Sequence, residues 1–218
     1  SLSAFTMLTK LDLTNTGLTD SHIVLGSLSG IKEQLVKLYL FGNSISDISV
    51  LSGMVNLMIL HLGGNKISDI SVLSEAQKLV QLELQGNIIA DIFPLSDMID
   101  MGILYLFSNQ ISDISPLSKL TNLTKLYLNN NQVSDIRPLE NLINLTYLDL
   151  RQNEISTIDS LANMTDLQYL FLFDNSISDI SALSSMNALI KLNLSNNPLS
   201  TTMSSSLTTL SSLPTLTT

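Results

Sequence analysis

Two residues of this chain have the types and spacing for acid–base chemistry. His61 and Glu83 lie one repeat apart, because 22 residues is the period of the whole sequence. Neighbouring repeats should therefore place them side by side. An imidazole next to a carboxylate is half of a general acid–base site. The other half does not appear. The chain has no cysteine, shows no serine with an evident activating base, and carries its second histidine, His22, in an irregular stretch. No glycine-rich phosphate loop of the P-loop or dinucleotide type occurs. The expected reading is an ordinary His–Glu surface pair, with no catalytic residue and no cofactor.

A row of carboxylates is the second candidate. Asp47, Asp69, Asp91, Asp113, Asp135 and Asp179 recur in phase, Asp20 matches them in the first unit, and Thr157 and Thr201 interrupt the row. Calcium needs several oxygens converging on one point. One Asp per repeat, in a line, does not supply that. Each carboxylate is expected instead to accept backbone N–H groups of its own Ile-Ser-Asp-Ile-Ser turn, as short polar side chains do. No metal site is expected.

These residues need elements to position them, and the period names the elements. Asn43, Asn65, Asn87, Asn109, Asn131, Asn153, Asn175 and Asn197 follow one another at 22-residue steps, each preceded by a Leu-x-Leu pair. A fixed period of this size is the signature of stacked repeats sharing one continuous core. Leu126 and Leu128 alternate with outward neighbours, the pattern of a half-buried strand. The remaining apolar positions sit about three apart, which suits a 3₁₀ or turn-like return. Pro94, Pro116 and Pro138 in that return agree, since proline lacks a donor and fixes φ. The asparagines are expected to turn inward and satisfy backbone groups of their own and the adjacent coil.

The pattern Leu-x-x-Leu-x-x-Leu-x-Leu-x-x-Asn-x-Ile-Ser-Asp-Ile-Ser-Pro-Leu resembles the leucine-rich repeat family. It looks closest to the 22-residue repeats of internalin-like bacterial surface proteins. Similar repeats occur in the cytosolic leucine-rich regulatory subunit of a protein phosphatase. The resemblance implies an α/β solenoid, a right-handed superhelix with a parallel β-sheet on its concave face and short 3₁₀ or turn-like segments on its convex face. Residues 1–218 then form a single leucine-rich repeat domain of about nine full repeats, beginning at Leu11/Leu13, with partial repeats at both ends. The first repeat is longer and irregular over 17–34. Thr16 replaces Asn there, and Ser21 to Gln34 is expected to form a short helix capped by Asp20 or Ser21. Leu207, Leu210, Leu213 and Leu216 would open a tenth coil, and the chain reads as a segment of a longer protein.

Charge narrows the partners. The net charge is −9 and the pI about 4.4. Phosphate binding relies on clustered Lys and Arg, so nucleic acid is not an expected partner. No apolar run reaches the ~18 residues of a membrane span, and no membrane insertion is expected.

Side chains flanking the strand leucines should face outward on the concave side. All five tyrosines fall there, with Phe41, Phe107, Phe171 and Phe173. Half of the ten basic residues join them: Lys10, Lys37, Lys125, Arg151 and Lys191. Aromatics and Arg are what interfaces concentrate at their centres. The expected partner-binding residues are Tyr39, Phe41, His61, Glu83, Tyr105, Phe107, Tyr127, Tyr147, Arg151, Tyr169, Phe171 and Phe173. Gly63, Gly64 and Gly86 are expected to leave a shallow dip beside His61 and Glu83. The resemblance implies non-catalytic recognition of a protein ligand by a secreted or cell-surface module. The alternatives are a cytoplasmic scaffold of the phosphatase-regulator kind and carbohydrate binding by the concave tyrosines.

Overall fold

A computed structural model describes residues 2–21 and 26–199. The first leucine of each Leu-x-Leu pair centres a three-residue strand. The strands are β1 (Lys10–Asp12), β2 (Lys37–Tyr39), β3 (Ile59–His61), β4 (Gln81–Glu83), β5 (Ile103–Tyr105), β6 (Lys125–Tyr127), β7 (Tyr147–Asp149), β8 (Tyr169–Phe171) and β9 (Lys191–Asn193). Among the described residues these nine form one parallel sheet in chain order. Register pairs each residue with its counterpart in the next repeat, Leu104 with Leu126 and Tyr105 with Tyr127. Residues of one repeat position therefore form straight columns across the sheet.

The return segments are short 3₁₀ turns such as Ser115–Lys119 and Arg137–Leu139, with proline in their first positions. Between sheet and turns lies one apolar core. Leu104, Leu106, Ile111, Ile114 and Leu117 of a single coil are each at most 1 % exposed. The fold is thus the leucine-rich repeat solenoid that the pattern implies.

The asparagines tie the coils together. Asn65 Nδ2 donates to the carbonyls of Leu62 in its own coil at 2.9 Å and of Leu40 in the preceding one at 3.0 Å. Its Oδ1 accepts from Ile45 N–H at 3.1 Å. Asn87, Asn109, Asn131, Asn153 and Asn175 repeat the arrangement. Thr16 reproduces part of it, its Oγ1 donating to the Leu13 carbonyl at 2.8 Å.

Just before each asparagine the chain turns through a left-handed residue. Glycine fills that place at Gly42, Gly64 and Gly86, but Ser108, Asn130, Gln152 and Asp174 hold it at φ of 54° to 58°. These side chains accept a conformation that disfavours a Cβ.

The start of the helix expected in the long first repeat lies at residues 22–25, outside the described residues. The Asp20 carboxylate accepts from the backbone of Ser46 and Asp47 in the next coil and from the Ser46 hydroxyl. Those bonds pull its pKa below the ordinary carboxylate value. Further along the insert a 3₁₀ turn at Leu28–Ile31 buries Leu28 and Ile31. Residues 22–25, including His22, lie outside the described residues, as do Thr201 and the leucines of the tenth coil.

Candidate protein-binding face

The strand period sends Leu38, Leu60, Leu82 and their successors into the core and the residues beside them to the opposite side of the sheet. All twelve expected site residues lie on that side, in or next to the strands. They divide into three groups.

The largest group is a continuous stack of rings. Tyr105 and Tyr127 lie 4.3 Å apart between centroids and 9° from parallel. Tyr147 sits 4.6 Å from Tyr127, 5.7 Å from Tyr169 and 5.5 Å from Phe171. Tyr147 belongs to the first strand column and Tyr127 and Phe171 to the second, so Tyr147 joins the two. Parallel strands lie about 4.8 Å apart, which sets this ring spacing. The rings are only half-exposed because they cover one another. The expected open apolar patch is thus a half-buried stack. Phe41, at 37 % exposure, is the most open of the site aromatics. Burial, with the neighbouring ring hydroxyls, raises the Tyr127 pKa well above the ordinary phenol value, and burial raises that of Tyr147.

Phe171 is flanked by cations. The Arg151 guanidinium of the preceding coil lies 5.5 Å from its centroid and Lys191 Nζ of the following coil 5.4 Å. Arg151 also grips Asp149, Nε to Oδ1 at 2.8 Å and Nη2 to Oδ2 at 2.7 Å. Asp149 stands in the outward column yet is 1 % exposed. Tyr127 and Phe171 hold the positions on either side of it.

The second group is polar. His61 Nε2 lies 3.2 Å from Glu83 Oε1 and 3.2 Å from Gln81 Nε2. A single ring nitrogen serves one of them at a time. Protonated, it donates to the carboxylate; unprotonated, it accepts from the amide. Burial lowers the His61 pKa while Glu83 pulls it upward, and the net direction is down. Neutral imidazole therefore dominates at pH 7. Gln81 and Gln85 also donate to the Glu83 oxygens at 3.1 and 3.3 Å. The expected dip is filled. The Gln85 amide lies on Gly63, where a Cβ would come within 2.6 Å of it. A side chain at that position would only push aside the end of the flexible Gln85 side chain, so the approach does not demand glycine.

The third group is marginal. Tyr39 meets His61 edge-on at 4.6 Å and carries Lys10 at 5.0 Å from its centroid. Among the described residues Phe41, Phe107 and Phe173 join no ring pair. The polar group thus separates Tyr39 and Phe41 from the large stack.

The carboxylate row stands apart, on the turns. Asp69, Asp113 and Asp179 each accept the backbone N–H two residues on at 2.8 Å, as expected for a turn residue. Among the described residues no cluster has the makings of a metal site. Phe93 was not expected. It is 70 % exposed on a return turn, between Ser71 and Ser115, with shallow grooves on both sides. Reading its repeat position as a column (Ser49, Ser71, Phe93, Ser115) would have found it.

Known proteins share this construction. The family pattern described as leucine-rich repeats in two copies matches residues 33–75, 103–141, 121–163, 143–185 and 165–214. No curated protein sequence matches the chain. Among solved structures, internalin C2 of Listeria monocytogenes is 35 % identical, with a TM-score of 0.79, over 87 % of this chain and 80 % of that one. A leucine-rich repeat protein of Leptospira interrogans, 20 % identical, shares the fold at a TM-score of 0.81, over 100 % of this chain and 62 % of that one. The ectodomain of a plant membrane receptor kinase from Arabidopsis thaliana, solved in complex with Casparian strip integrity factor 2, is 27 % identical with a TM-score of 0.77. That match spans 88 % of this chain and 24 % of the ectodomain chain. Period, register, asparagine ladder and these likenesses agree: the chain belongs to the leucine-rich repeat family and is internalin-like within it.

Proposed function

We propose that this protein recognises a protein partner, without catalysis, through the outer face of its sheet, and that Tyr105, Tyr127, Tyr147, Tyr169 and Phe171 form the centre of the contact. The observation that carries this is the stack itself. Five rings run unbroken across four coils on the side of the sheet that the core does not use. Large, part-rigid aromatics beside a half-exposed Arg are the composition of interface centres. Tyr39, Phe41, His61, Glu83, Phe107, Arg151 and Phe173 complete the surface around it.

The internalin likeness supports a secreted or cell-surface role, with adhesion to another cell's protein as the finer reading. Recognition of a protein ligand is supported by the receptor kinase relative and its bound factor. The carbohydrate alternative is weakened by the geometry. Sugars stack on open ring faces, and the faces of Tyr127 are taken by Tyr105 and Tyr147.

The test replaces Tyr147, Phe171 and Phe173 with alanine together. Loss of protein binding with a native circular dichroism spectrum supports the reading, and retained binding contradicts it. Protease treatment of intact producing cells tests the location. A surface protein is cleaved, whereas a cytoplasmic scaffold is protected.

A further inference from the structure

Resting on that reading, we infer that the partner meets the tract from β5 to β9 with an acidic segment of its own chain. The rings set the first condition. Their planes stack along the sheet, so their faces cover one another and the half-exposed remainder of each ring is chiefly its edge. An aromatic ring is negative on its face and positive at its edge. A row of edges and phenol donors is therefore a surface for acceptors, carboxylates above all. The tyrosines keep their protons through neutral pH, since burial raises the Tyr127 and Tyr147 pKa values.

Charge sets the second condition. The chain carries 19 acidic and 10 basic residues. On the β5–β9 tract the balance reverses. Its one strand carboxylate, Asp149, is buried and neutralised by Arg151. Lys125 and Lys191 stand exposed in the same column as Tyr147 and Tyr169. Among the described residues neither lysine forms an ion pair. A local positive field on an acidic protein attracts complementary segments and repels basic ones. Stacked rings leave few open faces to a purely apolar segment, and the lysines disfavour a cationic one.

A displayed library of random short peptides tests this. Peptides are selected on the intact protein and their affinities measured on three forms: wild type, Lys125→Glu/Lys191→Glu, and Tyr147→Ala/Phe171→Ala/Phe173→Ala. The selected peptides should be enriched in Asp and Glu. Their Kd should rise about tenfold or more on the lysine reversal, and also between about 0.05 and about 0.5 M salt. Selection of neutral or basic peptides, or of none that depends on the two lysines, overturns the inference. Peptides lost by the aromatic triple but indifferent to the reversal would overturn it while leaving the proposed function standing. Peptides indifferent to both would overturn both. Sedimentation of the protein alone supplies a further arm. A dimer dissolved by the lysine reversal would assign the tract to a second copy and overturn a foreign partner.

Discussion

Arg151 and Asp149 form a two-pronged ion pair on a strand end, with the acid 1 % exposed and the base 41 % exposed. Arg137 and Asp135 make the same pair two residues apart, at the same 2.7 Å, on an open turn. Identical chemistry at different burial should have different consequences. Removing one partner of a buried pair leaves an uncompensated charge, whereas exposed pairs contribute little.

Arg151→Ala should therefore destabilise the fold by about 2 kcal/mol, below the roughly 3–5 kcal/mol of a fully buried pair because the arginine itself is 41 % exposed. Arg137→Ala should leave the urea midpoint unchanged. Equal midpoints for the two variants would show that the Asp149 site is not desolvated as described.

Asn87→Ala should cost about 2 kcal/mol, since it leaves the buried Ile67 amide without its acceptor, while the Leu62 and Leu84 carbonyls each lose one of two asparagine donors and keep the other, Asn65 and Asn109. Asn87→Asp keeps the acceptor for Ile67 but sets a carboxylate oxygen against the Leu62 and Leu84 carbonyls in place of a donor, so it should be destabilised as well. Denaturation midpoints would check both, and a neutral Asn87→Ala would remove the ladder from the account.

Gln152 occupies a left-handed turn at φ 54°. Gln152→Gly should raise stability by about 0.5–1 kcal/mol, where glycine relieves the strain of a Cβ in that region. Gly64→Ala, at φ 64°, should do the opposite. Thermal melts of the pair would show shifts of opposite sign.

Acid should weaken the turns. Hydrogen bonds from Ser71 and Ser181 lower the pKa of Asp69 and Asp179, and the Arg137 side chain lowers that of Asp135 to about 2. A lowered folded-state pKa gives stability that is complete above the unfolded value of about 3.9 and is lost as pH falls through the folded value. The melting temperature should thus fall between about pH 5 and pH 2. Replacing Asp69, Asp135 and Asp179 with asparagine should flatten that limb, and an unchanged slope would assign the acid sensitivity to other groups.

The fold was legible because the repeat writes it many times. One period set the strand register, the inward leucines and the inward asparagines, and the Asp turns followed from the same spacing. The outward columns were legible as positions but not as contacts. That Asp149 would be buried depends on Tyr127 and Phe171 beside it and on the Arg151 side chain folding back onto it, and one column read alone does not contain all three. The Gln85 amide lying on Gly63 was hidden for the same reason, since an absent side chain reads as a dip until a neighbour fills it. Asp20 was misplaced because the long first repeat breaks the period, so the spacing no longer says which coil it meets. Phe93 was missed because attention to the strand columns leaves the return turns unread.

The most direct test of the central claim is a titration of the recovered protein partner against three forms of the chain. Wild type and Phe93→Ala, changed only on a return turn, should bind alike. Tyr147→Ala/Phe171→Ala/Phe173→Ala should bind about 100-fold more weakly or not at all, as expected when ring residues at an interface centre are removed. Affinity retained in the aromatic triple, or lost in Phe93→Ala, would place the binding surface elsewhere on the solenoid and contradict the account.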